Sequence, residues 1–134
     1  VTPAMPQQLN LLPGRYAVCR LAADAPTPAW IGAGPLTSTT RTTHELSVLC
    51  QAANVPPGVC AEADWIALQV TGPLEFSAVG VLASILQPLA DAAIPVFVIS
   101  TFDTDYILLK QEALHAAKIA LVAAGHTVAR ARPG

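Results

Sequence analysis

Charge is scarce in this sequence. Asp, Glu, Lys and Arg together make up 12% of 134 residues, against 53% hydrophobic residues, and the net charge is −2. No basic stripe with interleaved aromatics occurs, and Arg130 and Arg132 form the sole basic cluster, so nucleic-acid binding has no electrostatic footprint. Long uninterrupted apolar runs are missing as well. Segment 79–93 is broken by Gln87, Pro88 and Asp91 and is shorter than the ~20 residues a membrane helix needs. Paired cysteines are absent too. Cys19, Cys50 and Cys60 are odd in number and widely spaced, which excludes a disulfide framework and a Cys-x-x-Cys metal or redox motif. Buried, inert thiols are expected for the two that fall inside apparent strands, and the cytoplasm is the expected compartment. The start, "VTPAMPQQLN", has neither the basic residues nor the apolar core of a signal peptide, and residues 1–10 are expected to be a disordered tail.

What remains is an apolar chain of a length that suits one compact domain or two small halves sharing a core. With so little charge, its exposed surface should be apolar enough to favour a homodimer.

The first half reads as strand and loop. "RYAVCRL", Arg15–Leu21, alternates behind Pro13-Gly14. A Pro- and Ala-rich loop follows, from which Trp30 can cover the core. "LTSTTRTTHELSVLCQA" reads as a hairpin turning near Thr42–His44, with Leu46, Val48 and Cys50 on one face. The second half is sharper. "DWIALQVTG" is a strand, and from Ser77, a plausible helix N-cap, the apolar spacing becomes helical through Val81, Leu82, Ile85, Leu86 and Leu89. Pro88 removes a backbone donor from that helix and should kink it. "IPVFVISTF" reads as a strand in the sheet centre and "DYILLK" as its hairpin partner. "QEALHAAKIALVAAG" is a second helix with Gly125 as its left-handed stop, and "HTVAR" is a last strand.

The order β-α-β-β-α-β defines an α+β, ferredoxin-like arrangement. Residues 64–130 are expected to form that unit. Residues 11–63 are expected to be a degenerate copy with its first helix eroded to a loop. "STTRTTHELSVL" echoes "STFDTDYILL", a faint internal repeat.

Gly80-x-Leu82-x-x-Ile85-x-x-x-Leu89-x-x-x-x-Ile94-x-Val96 resembles the first helix and second strand of an ACT domain, a βαββαβ module that commonly binds amino acids and regulates metabolic enzymes. Ile99-Ser100-Thr101-Phe102-Asp103-Thr104-Asp105-Tyr106 matches the strand-end motif of one branch: stand-alone bacterial tandem-ACT proteins related to the CASTOR arginine sensors. "LPGRYAVCRL", "PAW" and "THELSVLC" resemble the N-terminal part of the same bacterial proteins. In the sensors the ligand lies at an interface between ACT units, between a Gly-containing loop and the strand end. The resemblance therefore implies a ligand site at Val79, Gly80 and Val81 with Thr101, Phe102, Thr104 and Asp105, where Asp105 faces a cationic part of the ligand. The sensors are longer and have more ACT units, so the resemblance does not extend to arginine itself. It implies a cytoplasmic regulatory sensor with a small-molecule partner and a possible regulated protein partner.

The residues support the same site independently. Gly80 at a helix start lets a carboxylate approach backbone N–H groups at the positive helix end. Asp105 can pair with an ammonium or guanidinium group. The alternative is that Gly80 permits close helix–sheet packing and the aspartates only make a turn. Asp103 and Asp105 do not form a catalytic pair, since no His, Cys, Ser or Lys joins them in a triad motif. His44, His115 and His126 form no metal motif, with His115 expected to face solvent and His126 to lie just past a helix end. "IGAGP" precedes a strand and lacks the Lys of a phosphate loop. The sequence thus implies a non-enzymatic amino-acid-binding module without cofactor or metal. The competing function is a ligand-free oligomerisation or protein-interaction module.

Overall fold

A computed structural model describes residues 6–71 and 79–130. The elements in chain order are β1 (Gln8–Leu11), β2 (Tyr16–Leu21), a 3-10 turn (Ala29–Ile31), β3 (Ser38–Arg41), β4 (Leu46–Gln51) and a second 3-10 turn (Ala52–Asn54). They continue with β5 (Cys60–Val70), α1 (Val81–Asp91), β6 (Phe97–Ser100), β7 (Asp105–Lys110), a third 3-10 turn (Gln111–Ala113), α2 (Leu114–Ala123) and β8 (Thr127–Arg130). The chain divides into two compact units. One comprises Val1–Pro13 and Ile66–Gly134, and the other Gly14–Trp65.

The discontinuous unit is a mixed α+β, ferredoxin-like fold, and its strands follow the order β8-β1-β5-β7-β6. β5, α1, β6, β7, α2 and β8 supply the βαββαβ sequence of elements. β1 is an addition. It pairs antiparallel with β5, Leu9 opposite Val70, and parallel with β8, Leu9 opposite Val128. The expected disordered tail is thus corrected at residues 8–10: Gln8–Leu11 is an interior strand, with Leu9 fully buried. Its short alternation in "QLNL" suits a strand that is apolar on one face.

An apolar cluster joins the sheet of this unit to its two helices. Leu9, Ile66, Leu68 and Val70 from the strands meet Ile85 and Leu89 of α1, Ile107 and Leu109 of β7, and Ala117 and Leu121 of α2. The helical spacing read from the sequence therefore marks the buried face of α1. β6 departs from expectation. Among the described residues it pairs only with β7, so it is an edge strand and not the sheet centre. Its Phe97, Val98 and Ile99 are only half-buried.

α1 runs through Pro88 to Asp91, so the proline does not end it. It closes with Ala93 in the left-handed region (φ 59), Ala93 N–H donating to Ala90 C=O at 2.9 Å and Ile94 N–H to Leu89 C=O at 3.0 Å. α2 stops at Gly125 (φ 96), as the sequence predicts, with His126 N–H donating to Leu121 C=O at 3.0 Å. The predicted cap Ser77 lies outside the described residues. No helix among them is long and apolar enough to cross a membrane.

The second unit, 14–65, carries strands in the order β3-β4-β2-β5, here residues 60–65 of β5. It has no α-helix among its described residues. Leu46, Val48 and Cys50 share the predicted buried face with Ala17 and Cys19, and Trp30, Ile31, Val55 and Val59 pack over them. The β3–β4 turn falls where predicted, Thr42 N–H donating to Glu45 C=O at 2.9 Å and the Thr42 hydroxyl accepting from His44 N–H. Tyr16 pairs with Trp65 but Val18 with Glu62, so β5 carries an extra residue there, and Asp64 takes φ 65 in this bulge.

Candidate functional site

Every residue of the expected site belongs to the discontinuous unit. Gly80 caps α1 in the left-handed region (φ 82, ψ 0), a conformation only glycine adopts without strain. Its carbonyl accepts from Ser84 N–H at 2.9 Å, which closes the first turn, and the Ser84 hydroxyl donates to Val81 C=O at 2.7 Å. Among the described residues no side chain caps this helix, and no acidic residue stands in its first turn. The first N–H groups of a helix have no intrahelical acceptor, so this end presents donors and partial positive charge. Val79 beside it is 89% exposed.

The other half of the site is the β6–β7 hairpin. Ser100 and Asp105 form its last cross-strand pair. Residues 101–104 turn the chain, with Thr101 N–H donating to Thr104 C=O at 2.8 Å and Thr104 N–H to the Thr101 hydroxyl at 3.3 Å. Phe102, at the tip, is 80% exposed, and Asp103 is the turn residue the sequence suggested. Thr104 is 5% exposed and its hydroxyl donates to Val70 C=O at 2.6 Å. That bond locks the hairpin to the end of β5. Asp105 Oδ1 accepts from the Ser100 hydroxyl at 2.6 Å, which fixes the carboxylate at the strand mouth.

In a βαββαβ unit the end of the first strand, the start of the first helix and the hairpin between the second and third strands all lie at one end. The Thr104–Val70 bond holds this chain to that geometry. Gly80 and Asp105 therefore share one end of the unit, with donors on one element and a carboxylate on the other. The Thr101 hydroxyl bonds within the turn and holds its shape, while the Thr104 hydroxyl is committed to Val70. The sequence reading gave no role to Ser84 or Ser100 and placed His126 only as a residue just past a helix end. His126 Nε2 lies 2.9 Å from Ser84 C=O, inside the first turns of α1.

Among the described residues no group of three or more His, Cys, Asp or Glu side chains can hold a metal. Cys19 and Cys50 are buried and Cys60 exposed. Burial, and then the neighbouring Cys50, push the Cys19 thiol up to about 11, so it is an inert hydrophobic group and not a nucleophile. A shallow cavity of about 220 Å³ on the second unit, lined by Arg20, Glu45, Ser47, Cys60 and Glu62 among others, contains none of the expected site residues.

Residues 61–123 match the family model described as the ACT domain, and residues 14–58 match a separate model for an N-terminal domain. The chain is similar to protein Atu0741 of Agobacterium tumefaciens, with 34% identity, 96% of each chain covered and a TM-score of 0.90. It belongs to the same family as that protein. It is also similar in structure to VC0802 of Vibrio cholerae, a protein of unknown function described as a possible transport protein (22% identity, 88% and 89% covered, TM-score 0.71). The regulatory subunit of aspartate kinase from Thermus thermophilus, in its ligand-free form, shares the fold at 15% identity, with 87% and 96% covered and a TM-score of 0.62. No curated protein sequence matches the chain.

Proposed function

We propose that this protein is a non-enzymatic regulatory module that binds a small zwitterion, an α-amino acid, at the Gly80–Asp105 end of its ACT unit. One observation carries the reading: a helix start opening on a left-handed Gly80, with no side-chain cap among the described residues, shares its end of the unit with the fixed carboxylate of Asp105. The ligand's carboxylate meets the first N–H groups of α1, and its ammonium or side-chain cation meets Asp105. Val79, Val81 and the exposed Phe102 supply the apolar contacts, while Thr101 and Thr104 shape the hairpin. The family resemblance supports the same ligand class, and the shared fold with an aspartate kinase regulatory subunit supports a regulatory role. In this reading the protein works in the cytoplasm as a homodimer. The expected degenerate ACT copy over residues 11–63 is not part of it, because residues 14–65 are an insertion with no α-helix among its described residues, and residues 14–58 match a separate N-terminal-domain model. The protein reports ligand occupancy to a regulated protein partner.

A thermal-shift screen against the twenty amino acids tests it. A ligand at a hundred times its Kd stabilises the fold by ~2.7 kcal/mol. Asp105→Ala should then weaken the hit by roughly tenfold or more, the scale of a charge-assisted hydrogen bond. A screen in which no amino acid moves the midpoint sinks the ligand class. A hit whose affinity Asp105→Ala leaves intact sinks the site.

A second reading has its own observation. Ile119 and Val122 on α2 are each 59% exposed, so the helix carries apolar side chains outward as well as inward. Such a face suits a protein–protein contact. If it serves self-pairing, Val122→Asp should shift the sedimentation profile at micromolar concentration towards the monomer.

A further inference from the structure

Pro88 creates a local deficit that another part of the chain fills. In an α-helix the N–H of residue 88 would donate to the carbonyl of residue 84, and proline has no N–H to give. Ser84 C=O instead faces His126 Nε2 at 2.9 Å. His126 is 4% exposed, so water is largely shut out as a substitute donor. The opposite ring nitrogen, Nδ1, accepts from Gln7 N–H at 3.0 Å. Gln7 N–H can only donate, so Nδ1 carries the lone pair and Nε2 the proton. Both partners thus demand the same neutral tautomer. The ring is set in place by Gly125, whose left-handed turn brings His126 N–H to Leu121 C=O. Gln7 is held from its other side, its carbonyl accepting from Thr127 N–H at 3.0 Å.

We infer that His126 is the positioning residue of α1: it replaces the donor that Pro88 removes and clamps the first turns of the helix to the segment leading into β1. The clamp runs Gln7 N–H to Nδ1 and Nε2–H to Ser84 C=O. Ser84 also closes the turn that begins at Gly80. Ligand occupancy at that helix start and seating of Gln7 are therefore linked, a clause that rests on the amino-acid reading above. The clamp itself does not.

A double-mutant cycle and a spectrum decide it. Histidine 15N NMR of the unaltered protein should show His126 as one neutral tautomer with the proton on Nε2; a mixture of tautomers, or the proton on Nδ1, overturns the clamp. His126→Phe keeps the volume and should lower the thermal midpoint by several degrees. Pro88→Ala restores the helix's own donor, so in that background the same change should cost about half as much or less. Equal cost in both backgrounds overturns the replacement of the Pro88 donor. Each of the twenty amino acids is then titrated into the unaltered protein and His126→Phe, with the Gly80 and Gln7 amide resonances followed. The linkage requires both resonances to move in the unaltered protein, and affinity to fall several-fold in the variant and recover in the double variant. Movement at Gly80 alone overturns the linkage. A binder with unchanged affinity in His126→Phe does the same and spares the amino-acid reading. No response to any amino acid overturns the reading and the linkage together, while the cycle still decides the clamp.

Discussion

Ala93 ends α1 in the left-handed conformation (φ 59) that Gly125 (φ 96) adopts at the end of α2. The two helices use the same closing hydrogen bonds, but a Cβ in that region costs about 1–2 kcal/mol. Part of that is offset because alanine restricts the unfolded chain more than glycine does. Ala93→Gly should therefore raise stability by about 0.5–1 kcal/mol, measured by urea unfolding with an unchanged m-value. Loss of stability would mean that the cap geometry is not what sets the cost. This pair also shows what a sequence can disclose about a helix end. Gly125 was legible because glycine advertises the conformation, and Ala93 was not, because packing imposes it on a residue that does not prefer it. Cys19 makes a second residue-scale test. Its thiol is raised from 9.0 to about 11 in the folded protein. Between those values the folded state holds a proton that the unfolded state has released, so stability falls as pH rises through that window. The stability difference between the unaltered protein and Cys19→Ala should change against the thiol from pH 9 to 11 and stay level below pH 8. A flat difference across the whole range would show that burial does not protect the thiol.

The hairpin of β6 and β7 is where local sequence and tertiary context divide the work. Its turn was readable from Asp103, a residue type whose short polar side chain bonds to nearby backbone. The role of Thr104 was not, because its partner, Val70 C=O, lies 34 positions away in the chain. Thr104→Val keeps the shape but leaves that buried carbonyl without its donor. A loss of about 1–3 kcal/mol is expected, the cost of an unsatisfied buried acceptor. The same variant should weaken any ligand that uses Asp105, since the hairpin then loses its tie to β5. Full stability in Thr104→Val would mean that the tie is replaceable by water. β6 and β1 were misplaced for a related reason. Apolar content alone made "IPVFVISTF" look central, yet it pairs on one side only among the described residues. "QLNL" is too short to announce a strand, but it is interior because β5 and β8 both leave an edge for it. Pattern fixes which face is buried; the order of strands depends on pairings that no local window contains.

At the scale of the whole molecule, two consecutive halves, 11–63 and 64–130, were expected, and the chain divides between Trp65 and Ile66. The connectivity is different. Residues 14–65 are an insertion within a unit whose first strand precedes them. A fragment of residues 64–130 therefore contains every βαββαβ element and still lacks β1. Its β5 and β8 would lose their shared partner, and the Leu9 and Leu11 side chains would leave the core. Fully burying a leucine contributes about 1.5–3 kcal/mol, so two of them represent a large share of the stability of a small domain. Leu12 N–H donates to Ala67 C=O at 2.9 Å, which places the end of the first segment beside the start of the second. A short Gly-Ser linker from Pro13 to Ile66 can thus rejoin the unit without its insertion. The spliced chain should give a cooperative thermal transition at a midpoint well above that of the 64–130 fragment, followed by circular dichroism. It should also keep the single His126 tautomer, because Gln7, Ser84 and His126 all remain in it. If the fragment without β1 is as stable as the spliced chain, β1 is an ornament of the sheet. If it is not, the N-terminal strand is part of the unit that carries the Gly80–Asp105 end, and the fold beneath the site draws on both sides of the insertion.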